Sequence, residues 1–233
     1  MTKTINSQKA IRISARMPHN KDSFAYGLNF YKLTWLFIIG GLLGYIIETT
    51  WILALTGEFV NNQGLIYMPI KPVYAFGAIL FAILGEKIIN FNGIFIFLIC
   101  SFLGALFEFL CSVFQEYFLG KSFWDYSDSP FNIQGRTNLF YAILWGTLGL
   151  IFIRHIYPFI CRILEKIPNQ FGRIITWIIF IFLISNIILS VCAIKRQTNR
   201  SYGIPAQNSF TEFLDKYYND DQLSKIYNSM VTL

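Results

Sequence analysis

Two glutamates stand where a carboxylate is costly. Glu48 is the one charged residue in the apolar run 33–55, and Glu108 is the one charged residue in the run 94–114. A charged side chain at the centre of a membrane helix costs about 2.5–3.5 kcal/mol on insertion scales. Each glutamate should therefore face protein or water, and be protonated or paired. Arg136 is the expected partner, because Gln134-Gly135-Arg136 opens the next apolar run; Lys71 is the second candidate. Asp125 and Asp128 lie with Trp124 and Tyr126 just before Arg136, and Asn132 and Asn61 add neutral hydrogen-bonding groups. Such a set could bind an anionic or zwitterionic head group, relay protons, or hold a hard divalent cation through oxygens. The competing account is a buried network that only locks helix packing. Trp124 and Tyr126 also suit an interfacial aromatic belt, as do Trp35, Trp51 and Trp177. Glu116, near a helix end, is read as solvated.

Other chemistries lack their residues. His19 and His155 are the two histidines, both expected on the cytoplasmic side, so no His-rich metal set forms and no Ser-His-Asp arrangement arises on the outer face. There is no G-x-x-x-x-G-K-[ST] phosphate loop. Cys100, Cys111, Cys161 and Cys192 have no C-x-x-C spacing and read as small core residues rather than a disulfide or zinc framework. No cofactor and no metal are expected. No basic motif interleaves with aromatics outside the apolar runs, so nucleic acid is not an expected partner.

The elements that would position these residues cross a lipid bilayer. The chain has 233 residues, 55% hydrophobic and 14% charged, against about 25% charged in soluble proteins. A spanning helix needs about 20 apolar residues. Five spans are expected, at about 33–55, 69–89, 93–115, 137–154 and 174–194, giving an all-α, polytopic membrane fold. Residues 1–32 form a basic segment, 33–194 the transmembrane domain and 195–233 a polar tail. Residues 1–30 lack the apolar core and small-residue cleavage site of a signal peptide.

Lys and Arg in short flanking segments set orientation. Lys3, Lys9, Arg12, Arg16, Lys21 and Lys32 precede the first span, Lys87 follows the second, and Arg154, Arg162, Lys166 and Arg173 separate the fourth from the fifth. Lys71, Lys121 and Arg136 lie on the other side, with Lys195, Arg196 and Arg200 after the last span. The balance puts the amino terminus in the cytoplasm and the carboxyl terminus outside. It also accounts for most of the net charge of +6.

The chain also echoes itself. Leu43-Gly44-Tyr45-Ile46-Ile47-Glu48 and Leu103-Gly104-Ala105-Leu106-Phe107-Glu108 both read L-G-x-x-x-E, 60 positions apart. Asn61-Asn62-Gln63-Gly64 and Asn132-Ile133-Gln134-Gly135 both read N-x-Q-G, and the second unit is 11 residues longer between glutamate and glycine. The order predicts a parallel tandem repeat of two helical hairpins, about 33–90 and 93–154, plus a fifth helix at 174–194. Gly44 and Gly104 precede the glutamates by four residues, on the same helical face, where small residues let helices approach closely. Glu48, seven residues before the end of its span, would lie about 10 Å below the outer surface. The two carboxylates should then face each other across a tight interface that opens outward.

Two peripheral segments remain. Ile156, Phe159, Ile160, Ile163, Leu164 and Ile167 recur at helical spacing around Arg162 and Lys166, predicting an amphipathic helix on the cytoplasmic surface. Phe210 to Tyr227 has helical apolar spacing and is expected to fold back on the outer face.

Taken in order, the motifs resemble a known family. An intramembrane glutamate after a glycine is followed by Gly64-Leu65-Ile66-Tyr67-Met68-Pro69-Ile70-Lys71-Pro72-Val73-Tyr74-Ala75-Phe76-Gly77. A second such glutamate then precedes Trp124-Asp125-Tyr126-Ser127-Asp128-Ser129-Pro130-Phe131-Asn132-Ile133-Gln134-Gly135-Arg136. Over about residues 33–160 this resembles the Putative ABC-transporter type IV family, or CmpB-like permeases. Phe213-Leu214-Asp215-Lys216-Tyr217 is similar to the family's carboxyl-terminal segment. The resemblance adds Tyr67 and Tyr74 to the candidate substrate contacts. It implies a permease, whose separate ATPase would dock on the one available inner surface, the helix around 156–167; a homo-oligomer is the form expected of such a transport protein. The other readings are an integral membrane enzyme acting on lipid or lipid-linked substrates, with a carboxylate as general base, and a scaffold or sensor. A transporter predicts access from both faces, an enzyme a one-sided cavity open to lipid, and a scaffold no cavity.

Overall fold

A computed structural model of the chain describes residues 21–227 and 231–232. Lys3, Lys9, Arg12, Arg16 and His19 lie outside these described residues.

The fold is all-helical. Helix α1 (Phe30–Thr56) begins where the Asn29 side chain accepts from the Lys32 amide and ends at Gly57, whose φ of 74° closes the last turn. Helix α2 (Pro72–Ile88) starts on a proline at its first turn. Helix α3 (Gly93–Leu119) is capped by Asn92 at its start and by Gly120, with φ 66°, at its end. Helix α4 (Leu139–Ile151), capped by Asn138, runs through a π-helical stretch (Phe152–Ile156) into α5 (Tyr157–Leu164). Helix α6 spans Asn169–Ser201. Short helices α7 (Ser209–Tyr217) and α8 (Asp220–Ile226) follow.

Among the described residues, four helices are long and apolar enough to cross a membrane: Phe30–Thr56, Gly93–Leu119, Leu139–Leu164 and Asn169–Ser201. The 27 residues of α1 or α3 extend about 40 Å, more than the bilayer's hydrocarbon core of about 30 Å. The run expected over 69–89 is helical from Pro72 to Ile88, 17 residues, or about 25 Å.

The expected surface helix around 156–167 is instead continuous with α4, in the one long helical stretch Leu139–Leu164. Ile153, Tyr157, Ile160, Cys161 and Leu164 are buried in the main core, which also takes in Leu36, Phe81 and Ala82. Apolar spacing there serves helix packing, and Phe159 and Ile163 alone of that run's large apolar residues are strongly exposed.

The most extensive helix pairs are α1 with α2 and α3 with α4. Glycines set both. A Cβ at Gly40 would overlap Ala78, and one at Gly44 would overlap the Tyr74 side chain. A Cβ at Gly149 would meet Cys100, and one at Gly104 would overlap Trp145. Helix α6 packs on α1 through Trp35, whose Nε1 donates to Thr176 Oγ1 at 2.9 Å.

At the end of the bundle where α1 and α3 finish, the tail folds back. Leu214, Tyr218, Leu223 and Tyr227 join Ile66, Leu119, Ala193 and Ile194 in one cluster. Arg196 grips Asp215 with two bonds of 2.8 and 2.7 Å, and Arg200 reaches both Asp215 and Asp220. Strand β1 (Lys121–Ser122) pairs antiparallel with β4 (Val231–Thr232), and β2 (Asn132–Ile133) pairs with β3 (Thr137–Asn138) in a small hairpin.

Candidate functional site

Glu48 faces the start of α2. The backbone carbonyl of Gly41 accepts from the Lys71 amide at 3.1 Å, an approach that a side chain on Gly41 would block through Ile70. Held there, Lys71 donates from Nζ to Glu48 Oε1 at 2.7 Å, and Asn62 Nδ2 donates to the same oxygen at 2.7 Å. Helix α6 fixes the intervening loop: Ser190 Oγ accepts from the Ile66 amide at 3.1 Å and Asn186 Oδ1 from the Tyr67 amide at 3.3 Å.

Helix α3 presents Glu108, Ser112 and Glu116 at intervals of four, a single stripe. The loop after α3 satisfies that stripe in order. Tyr126 donates its hydroxyl to Glu108 Oε1 at 3.2 Å, and Thr137 donates to Oε2 at 2.8 Å. Arg136 donates to Ser112 at 3.1 Å and pairs with Glu116. The expected Arg136–Glu108 pair is thus replaced by Arg136–Glu116, two turns further along. Glu108, 5% exposed, has hydroxyl donors from the loop and the Trp145 indole from α4, but no cation.

The loop holds itself. Asp125 Oδ1 accepts from the Ser127 amide at 2.9 Å and hydroxyl at 2.6 Å, an Asx turn. These bonds hold the Asp125 carboxyl below its ordinary value. Asn132 donates to the Ser127 and Ser129 carbonyls at 3.0 and 2.8 Å and accepts from the Gly135 amide at 3.0 Å. Gly135, with φ 67°, passes so close to Asp125 and Ser127 that a side chain would collide with both. Trp124 Nε1 donates to the Arg136 carbonyl at 2.8 Å.

A cavity of about 1380 Å³ lies between the later halves of α1 and α3, bounded by the first turns of α2 and α4 and by α6. Both glutamates line it, with Lys71, Tyr74, Trp124, Asp125 and Tyr126 from the expected set. The other expected residues lie elsewhere. Tyr67 bonds its hydroxyl to that of Tyr218 at 2.6 Å. Asn61 accepts from Tyr45 at 3.0 Å. Asp128 is exposed on the loop, and Asn132 is engaged within it. Asn62, Thr137 and Tyr141 are the polar neighbours that sequence reasoning missed. Tyr141 stacks on Tyr126 with ring centres 4.3 Å apart. Among the described residues, no three His, Cys, Asp or Glu side chains are grouped as a metal site.

The two hairpins meet at matching positions. Tyr74 and Trp145 lie 71 positions apart, as Gly64 and Gly135 do. Each ring covers the glycine four residues before its hairpin's glutamate, and the two rings touch at 5.7 Å between centres.

A family model described as Putative ABC-transporter type IV matches residues 35–191, about two thirds of the chain. The match carries the resemblance past α5 into α6 and stops short of the tail helices. No curated protein and no solved structure matches the chain.

Proposed function

The chain belongs to the Putative ABC-transporter type IV family, and from that premise we propose that it is the permease subunit of a transporter whose substrate occupies the cavity between α1 and α3. It is a membrane-embedded, transporter-like protein. The observation that carries the finer reading is that both intramembrane glutamates line one cavity. In this reading the Glu48–Lys71 pair, Glu108, Asp125 and Tyr126 meet the substrate's polar end. The matching glycine, ring and glutamate positions support a tandem hairpin repeat, with α2 as a short fifth crossing. The cavity end then faces outward. At the other end, the exposed face of α5 around Phe159, Arg162, Ile163 and Lys166 is where a separate ATPase would dock.

A second reading is favoured by the cavity's position. It lies at one end of the bundle, and its walls include Trp51, Leu110 and Phe114, each about half exposed on the apolar flank. That is the form expected of an enzyme acting on a lipid, with Glu108 as general base.

Single cysteines at Ile47 and Phe107, in a cysteine-free background, separate the two. A cycling permease exposes both to a membrane-impermeant maleimide from either face when its ATPase turns over. Labelling from the outer face alone, under every condition, would sink the permease reading and leave the enzyme.

A further inference from the structure

The cavity is large for a compact solute, since ordinary ligand pockets enclose about 300–1,000 Å³ and this one about 1380 Å³. Its walls and its polar end differ in kind. Ile47, Trp51, Leu110, Phe114, Ile187 and Val191 form the walls. All but Ile187 are strongly exposed, so in a bilayer they are continuous with hydrocarbon. The ionisable groups gather at the end near the first turns of α2 and α4.

Charge then selects what can bind there. Lys71 is committed to Glu48. Arg136 is committed to Glu116 and does not line the cavity. Among the described residues no Lys or Arg forms an ion pair with Glu108 or Asp125. Glu108 accepts from two hydroxyls, Tyr126 and Thr137, and from the Trp145 indole, while a carboxylate offers about four lone-pair positions. An anionic group entering this end would find no uncommitted cation. A group with an N–H donor and a positive charge would complete Glu108, and Asp125 lines the same cavity.

We propose that the cavity takes a membrane lipid with an ammonium head group. Its chains lie between α1 and α3, and its ammonium group meets Glu108. This rests on the reading of the cavity as a substrate site and names the substrate class.

The test uses the full chain in nanodiscs of phosphatidylglycerol. A small share of phosphatidylethanolamine or phosphatidylglycerol carries a diazirine in its acyl chain. Phosphatidylethanolamine should label the walls at 46–55 and 107–115 roughly tenfold more than phosphatidylglycerol does, the scale of one charge-assisted hydrogen bond. Labelling of the α6 flank at Ile178 and Phe182 should be the same for both lipids. Glu108→Gln should bring wall labelling down to the phosphatidylglycerol level and leave the flank unchanged. Should that variant not fold, Ile47→Trp, which fills a wall, should lower wall labelling by both lipids. Equal wall labelling by the two lipids, or a preference untouched by Glu108→Gln, would overturn the proposal. Two-sided maleimide access without lipid labelling would leave the permease and remove the lipid. Lipid labelling with one-sided access would do the reverse.

Discussion

Glu48 and Glu108 occupy the same position in two similar motifs, yet their partners differ in kind: a lysine and an amide for one, two hydroxyls and an indole for the other. Lys71 and Glu48 are 12% and 25% exposed at the side chain, buried enough that removing Lys71 leaves Glu48 with Asn62 but without its countercharge. Lys71→Met should destabilise the protein by about 1–3 kcal/mol, the cost of an unsatisfied buried polar group. Glu48→Gln combined with Lys71→Met should cost less than the sum of the two single changes, as coupled neighbours do. Unfolding midpoints of the four proteins in one detergent measure this, and strict additivity would mean that the pair contributes nothing to stability. At this scale the sequence was half legible. Apolar runs expose an intramembrane glutamate at once, and Lys71 was a named candidate. Arg136 pairs with Glu116 rather than Glu108, because helical spacing gives the stripe Glu108–Ser112–Glu116 but not the turn at which a loop residue meets it. Asn62 rather than Asn61 reaches Glu48, and a loop has no period to say which of two adjacent side chains turns inward.

The elements were clearer where their ends carry chemistry. Asn29, Asn92 and Asn138 each cap a membrane helix and mark its first turn. Helix α6 runs past its apolar stretch to Ser201 because the tail covers Arg196, Gln197 and Thr198, all buried. Sequence periodicity could not supply that, since the cover comes from residues far along the chain. The tail's attachment depends on ionisation. Hydrogen bonds from Arg196 and then Arg200 pull Asp215 down to about 2 from the ordinary 3.8. A lowered carboxyl value means stability that is fully present above 3.8 and is lost as pH falls toward about 2. Amide exchange protection across α7 should therefore be constant from neutral pH to about pH 4 and fall below it. Asp215→Asn should show the same loss at pH 7. Protection in wild type that is flat down to pH 2 would remove the ion pairs from the account.

For the whole molecule, composition alone identified the class, but the number of crossings depends on α2, whose 17 residues are short for a span. If α2 crosses, Lys21 and Ser209 lie on opposite sides of the membrane. In intact cells an impermeant maleimide should label Ser209→Cys and Asp128→Cys, and should label Lys21→Cys only after permeabilisation. Labelling of Lys21→Cys and Ser209→Cys together in intact cells would mean an even number of crossings and a re-entrant α2. The glycine seats under Tyr74 and Trp145 bear on how such a molecule can move. Each hairpin is clamped along its length by backbone-close contacts, so neither can bend without breaking them. The halves are tethered by the short link 89–92 and touch through the Tyr74–Trp145 rings. Mechanically this is a pair of stiff levers joined along a packed seam, where Phe81 and Ile153 continue the contact begun by the two rings, and the gap that seam leaves between them is the one between α1 and α3.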